Sequence, residues 1–171
     1  MMKSILYALV FICVGSLSVH SAGIPLHINP FQSFFKGNVI RVLDGDTIEV
    51  LQENKPVKPV RVRLANIDAP EKKQAYGRWS TNQLKGLVAA QPVTVTYTKT
   101  DRYGRIIGRV FTTNGIEANR FMVKSGAAWV YEYYNTDKAL PALQLEAQKM
   151  KRGLWADHQP VPPWVWRHKN N

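Results

Sequence analysis

The chain has 171 residues, with 23 Lys and Arg against 12 Asp and Glu and a net charge of +11. That length suits one ordinary domain around a single core and argues against a multidomain chain. A lone cysteine excludes a disulfide-stapled fold, and the positive excess points to a polyanionic partner (nucleic acid, anionic lipid or acidic polysaccharide) unless the charge serves only solubility.

The first residues read as an export signal. Met1 to Lys3 make a short positive start, Ile5 to Val14 an apolar run, and small or polar residues follow through Ser16, Ser18 and Ser21. A spanning helix needs roughly 20 apolar residues. The shorter run fits a secretory signal over residues 1–21, cleaved after Ser21, better than a retained anchor. Cleavage would remove Cys13, so the exported product is expected to be a thiol-free, soluble monomer, periplasmic or secreted, without a stable protein partner.

Residues 22–35, with Pro25 and Pro30, read as a linker, and residues 36–157 as the folded domain. Val39, Ile40 and Val42 lead into Asp44-Gly45-Asp46, and Thr47 to Leu51 lead out, the pattern of a hairpin. Val57 to Leu64 roughly alternates basic and apolar residues, as a strand does. Ala75 to Ala89 predicts a helix, with Leu84, Leu87 and Val88 at helical spacing. Val93 to Thr98 and Ile106 to Thr112 predict two strands around a turn at Tyr103-Gly104. Ala118, Phe121 and Met122 share one face of a short helix that Gly126 would stop. Leu140, Leu143, Ala147 and Met150 mark a last helix, closed by Gly153. Residues 158–171, with Pro160, Pro162 and Pro163, read as an extended tail carrying Trp164 and Trp166. Five short strands without a βαβ rhythm predict a five-stranded, closed or partly closed barrel of the oligonucleotide/oligosaccharide-binding (OB) type, an α+β fold with about three helices packed outside.

Three segments could carry chemistry. Asp44-Gly45-Asp46-Thr47 sits at a hairpin tip, where Asp and Gly are also what a tight turn requires. In Arg61-Val62-Arg63 the two arginines face one way, because strand side chains alternate. Pro70 then imposes an extended backbone, so Glu71 is presented just past Asp68. A purely structural alternative pairs Arg63 with Glu71 and lets Asp68 and Glu71 cap the next helix. Asp101-Arg102-Tyr103-Gly104-Arg105 forms a second tip, either a solvated charged turn or a place where a guanidinium forks onto phosphate. Taken together, these groups suit attack on a phosphodiester. Such attack loads charge onto the phosphate oxygens and needs cationic clamps, a polarising metal and a carboxylate to handle water. Asp46 and Asp68 offer hard oxygen donors suited to Ca²⁺, and Glu71 is the acid left for water. His27, His158 and His168 lack metal-ligand spacing and read as solvated.

These three motifs, in this order and at similar spacing, with Gly153-Leu154-Trp155 after a helix, resemble the thermonuclease family typified by staphylococcal nuclease. The resemblance runs from about Lys36 to Asp157. It implies a barrel nuclease that cuts DNA and RNA endonucleolytically and leaves 3′-phosphates. Arg63 and Arg105 would be its phosphate-binding arginines and Glu71 its general base or water-orienting carboxylate. Asp46, Asp68 and the main-chain carbonyl of Ala69 would hold Ca²⁺ or a similar divalent cation. The family's founding member has threonine at the position of Ala69, a change that a main-chain ligand tolerates. Tyr103 would lie beside the scissile nucleotide, and Tyr131, Tyr133 or Tyr134 could stack on a base or serve the core. Asparagine in place of Asp46 or Asp68 is expected to weaken metal dependence more than folding. The rival expectation is a non-catalytic nucleic-acid-binding module on the same barrel.

Overall fold

β-branched residues at alternate positions leave one face of each strand apolar, and closing the strands on themselves buries all of those faces at once. In the computed structural model, which describes residues 32–170, five strands do this. They are β1 (Ser33–Val42), β2 (Thr47–Gln52), β3 (Lys55–Leu64), β5 (Pro92–Thr100) and β6 (Ile106–Thr112), in the barrel order β1-β2-β3-β6-β5. β3 and β6 run parallel and the other neighbours antiparallel. The predicted signal segment, Cys13 and His27 lie outside the described residues. Within the described residues no helix is long and apolar enough to cross a membrane.

The barrel interior is filled by Val39, Ile48, Val50, Val62, Leu64, Val95 and Val110, all essentially inaccessible. Each such side chain contributes about 1.5–3 kcal/mol on burial. α1 (Gly77–Val88) adds Leu84 and Val88 to this core, and α2 (Ala118–Lys124) adds Met122 and Val123. A smaller cluster forms where α3 (Leu140–Lys149) meets Leu154 and Trp155, with Tyr76 and Trp129 packed against it.

Four sequence expectations are corrected. The linker ends sooner: Ser33 to Asn38 pair with Tyr97 to Pro92 of β5, because β1 must reach past β2 to close the barrel. A short ladder, β4 (Ile67–Asp68) with β7 (Trp129–Val130), has no counterpart in the sequence pattern, since two-residue strands leave no periodic trace. Met150 is exposed, because α3 ends at Lys149 and Lys151 turns to φ 50°. The tail is not extended throughout: Pro163–Asn170 form α4, a fourth helix beyond the three expected. A proline inside the first turn and Arg167, His168 and Lys169 in the last are favourable helix ends, and they outweigh the proline-rich approach.

Candidate active site

The site lies outside the barrel wall, at the end where β1–β2, β3–β4 and the start of α1 meet. Alternation along β3 turns Val62 and Leu64 inward and Arg61 and Arg63 outward. The two arginines then differ. Arg61 stays in solvent and pairs with Glu49 at 3.1 Å. Arg63 is covered by the β1–β2 tip and by β4, leaving its side chain 14% exposed.

Arg63 draws the segments together. Its Nε lies 3.1 Å from Asp46 Oδ1, and Nη2 donates to Asp68 Oδ1 at 3.1 Å. Nη1 donates to the carbonyls of Leu64 and Ile67, each at 2.8 Å. A guanidinium has five N–H groups, so one on Nη2 is left for an anion. The expected alternative pairing of Arg63 with Glu71 is not what forms.

The β1–β2 tip is shaped as much by packing as by charge. Asp44 Oδ1 accepts from the Asp46 amide at 3.0 Å, an Asx turn. Asp46 accepts from the Thr47 hydroxyl at 2.9 Å and from the Ala69 amide at 2.7 Å, which ties the tip to the loop after β4. Gly45 permits the close approach of α1: a Cβ there would overlap the buried Ser80 hydroxyl and stand 2.8 Å from Ala69 Cβ. Any larger residue at Gly45 would push the tip off its neighbours.

Asp68 is 1% exposed and is fixed by the ladder opposite Trp129. A buried Asn119 bonds the Ala65 carbonyl at 2.9 Å and the Val110 amide at 3.1 Å, holding the turn that delivers Asp68 against β6. Glu71 follows Pro70 and is braced at its amide by Gln74 Oε1 at 3.1 Å. It does not cap α1, whose N-cap is Tyr76 without a side-chain cap bond.

Arg105 stands one residue before β6. Because Arg63 pairs with Ile107 in the parallel register, Arg105 shares the outer face of Arg63, two residues away along the neighbouring strand. Its Nε is held by Asp101 Oδ2 at 2.9 Å, and both Nη groups lack a protein partner among the described residues. Tyr103 is 69% exposed and lies beneath the guanidinium groups of Arg102 and Arg105, at 4.9 and 5.6 Å from the ring centre. Tyr133 and Tyr134 are also exposed, and Lys99 Nζ sits 5.8 Å from the Tyr134 ring centre, so the tyrosine loop borders the β5–β6 tip. Tyr131 instead stacks on Trp164 of α4, at 5.5 Å and 13°.

One site residue was missed by sequence reading. Arg167 of α4 places Nη2 2.7 Å from Asp68 Oδ2 and Nη1 2.8 Å from Glu71 Oε1. The Pro163 start could have signalled the helix, but no local pattern links Arg167 to Asp68, 99 residues earlier. His158 and His168 are exposed, as expected.

Burial dominates the electrostatics of the acids here. Burial, followed by the charge of Asp46, pushes the Asp44 carboxyl up to about 7. Burial also raises Asp68, against the opposing hydrogen bond from Arg167. Asp46 and Asp68 are buried hard oxygen donors on neighbouring strand ends, a donor type that suits a divalent cation such as Ca²⁺, and together with the Ala69 carbonyl they are the residues that could hold it. No three acidic, His or Cys side chains among the described residues converge on one point, and Arg63 and Arg167 both donate to Asp68.

The partners of Asp46 revise one expectation. In Asp46→Asn an amide nitrogen would replace one oxygen, facing either the Ala69 amide or Arg63. Losing one charge-assisted bond costs about 1.5–3 kcal/mol, so this substitution is expected to lower the melting temperature in chelator by roughly 3–12 °C. A melt matching the unchanged protein would show that Asp46 braces nothing.

Similarity to known proteins gives the family. Residues 61–157 match the family model described as staphylococcal nuclease homologue. The chain is 64% identical over 133 residues to an uncharacterized endonuclease of Escherichia coli, covering 78% of this chain and 85% of that one. It is 39% identical over 165 residues to the micrococcal nuclease of Shigella flexneri, covering 90% and 93%. It is 40% identical over 131 residues to an uncharacterized endonuclease of Haemophilus influenzae, covering 77% and 72%. An OB-type barrel with a carboxylate–arginine cluster at one end defines a nuclease-like scaffold. The chain belongs to the staphylococcal nuclease family.

Proposed function

We propose that the chain is an exported endonuclease that hydrolyses phosphodiester bonds in DNA and RNA with the help of Ca²⁺ or a similar cation, leaving 3′-phosphates. The observation that carries this reading is the gathering of Asp46, Arg63, Asp68 and Glu71 from separate segments at one end of the barrel. Family membership and the net charge of +11 support a nucleic-acid substrate. Export rests on the apolar run of Ile5 to Val14.

In this reading Arg63 offers its remaining N–H, and Arg105 its unpartnered Nη groups, to the oxygens on which charge develops. Glu71, on the partly open side, orients a water and takes its proton. A cation bound by Asp46 and Asp68 would polarise the phosphate and lower the pKa of bound water. Exposed Tyr103, Tyr133 and Tyr134 offer stacking faces that any base can use. Contacts of this kind fall on phosphate, sugar and base faces, so little sequence preference is expected.

Incubating purified protein with plasmid DNA and with RNA, in Ca²⁺ and in chelator, tests the reading. Degradation of both polymers in Ca²⁺ and neither in chelator is expected. Intact polymers in Ca²⁺, with binding retained, would instead identify the non-cutting module.

A further inference from the structure

α4 brings a guanidinium onto the same acids that a cation and a water would need. Arg167 spans two of them: Nη2 to Asp68 Oδ2 at 2.7 Å, Nη1 to Asp68 Oδ1 at 3.2 Å and Nη1 to Glu71 Oε1 at 2.8 Å. Asp68 Oδ1 also accepts from Arg63 Nη2 at 3.1 Å. A carboxylate has about four lone-pair sites, so three of those on Asp68 are engaged. A divalent cation requires these same oxygens at roughly 2.3–2.6 Å and would stand beside a like charge. Glu71, meanwhile, has one oxygen turned to an N–H donor instead of to water.

The contact is held in place but can be released. Trp164 stacks on Tyr131 and meets Trp129 edge-on at 5.7 Å, Pro163 is buried, and Gln74 Nε2 donates to the Val161 carbonyl at 2.6 Å, so α4 is docked independently of Arg167. Arg167 and Glu71 are each about one-third open to solvent, so their attraction is screened and the side chain can swing out without moving the helix.

We propose that α4 is a built-in autoinhibitory strap: Arg167 occupies Asp68 and Glu71 when no divalent cation is bound, and cation and guanidinium compete for Asp68. This rests on the cation site proposed above. With Arg167 seated, acid repulsion is relieved and the site is inert. With a cation on Asp46 and Asp68, Arg167 leaves and Glu71 is freed for water.

Calorimetric titration of Ca²⁺ into the full-length chain and into its Arg167→Gln and Arg167→Lys variants, free of nucleic acid, tests the competition. If the seated state is populated about nine-tenths of the time, removing it tightens apparent affinity about ten-fold. The Gln variant is therefore expected to bind Ca²⁺ about ten-fold more tightly, and the Lys variant, which keeps the charge but not the fork, to fall between. The Gln variant is also expected to melt lower than the unchanged chain in chelator but not in saturating Ca²⁺. Equal or weaker Ca²⁺ affinity in the Gln variant would overturn the competition while leaving the cation site standing, and should that variant not fold, the same result for the Lys variant would do so. No binding by any of the three proteins would overturn the cation site and the strap together.

Discussion

Arg105→Ala and Glu71→Gln are each expected to slow cleavage on the order of 100- to 1000-fold while leaving nucleic-acid affinity nearly unchanged. Arg105 is anchored through Nε to Asp101 at 2.9 Å, and its Nη groups have no protein partner among the described residues. Removing it opens no core cavity, because its side chain is already 31% exposed. Loss of one donor aimed at developing charge affects the transition state more than the ground state. Glu71→Gln keeps the shape beside Arg167 but removes the carboxylate proposed to take the proton from water. Affinity is spread over an excess of positive charge, so one side chain changes it little. Initial rates, paired with the Kd for an uncleavable oligonucleotide at fixed salt, check both variants. Rates within a few-fold of the unchanged protein would return both groups to a structural role.

Arg63→Ala is expected to be the most damaging single change to the fold at this site. It strips counter-charge from Asp46 and Asp68, both nearly inaccessible, and orphans the carbonyls of Leu64 and Ile67. Breaking a buried ion pair by removing one partner costs about 3–5 kcal/mol. For a chain of this size that is roughly 6–20 °C in melting temperature. Arg63→Lys should recover only part of this, since an ammonium cannot reproduce the planar fork across two carbonyls and two carboxylates. Melts in chelator would show Arg63→Ala far below Arg105→Ala. A shift of less than about 2 °C would mean that the acids are solvated or protonated rather than braced. The contrast separates two arginines that the same phosphate chemistry would otherwise make equivalent.

Much of the barrel was legible because its causes are local. Val62 and Val95 alternate with polar neighbours, and the Asp-Gly and Tyr-Gly tips announce two of the turns between strands. Asp46, Arg63, Asp68 and Glu71 could be singled out for a related reason: acids and arginines on tips and strand ends serve no local need that they all share. Their chemistry follows from residue type, and the closeness of Asp46 to Arg63 from a strand pair that the hydrophobic pattern already specified.

The partner of each charge was decided by the tertiary structure alone. From the sequence, Arg63 could equally serve Glu71, and Arg61 and Arg63 look alike. Once folded, Arg63 is enclosed by the tip and β4, Arg61 is left in solvent, and Glu71 is taken by Arg167. Ion pairing reads distance in space, and periodicity reads only distance along the chain. The ladder that sets Asp68 against Trp129 joins distant parts of the chain through two residues on each side, too little to leave a pattern. The docking of α4 has the same origin: Trp164 finds Tyr131 and Trp129 only after the barrel and β7 exist to bring them together. A helix of eight residues is marginal by itself in water. It is that packing, absent from any local window, that sets Arg167 on the acids.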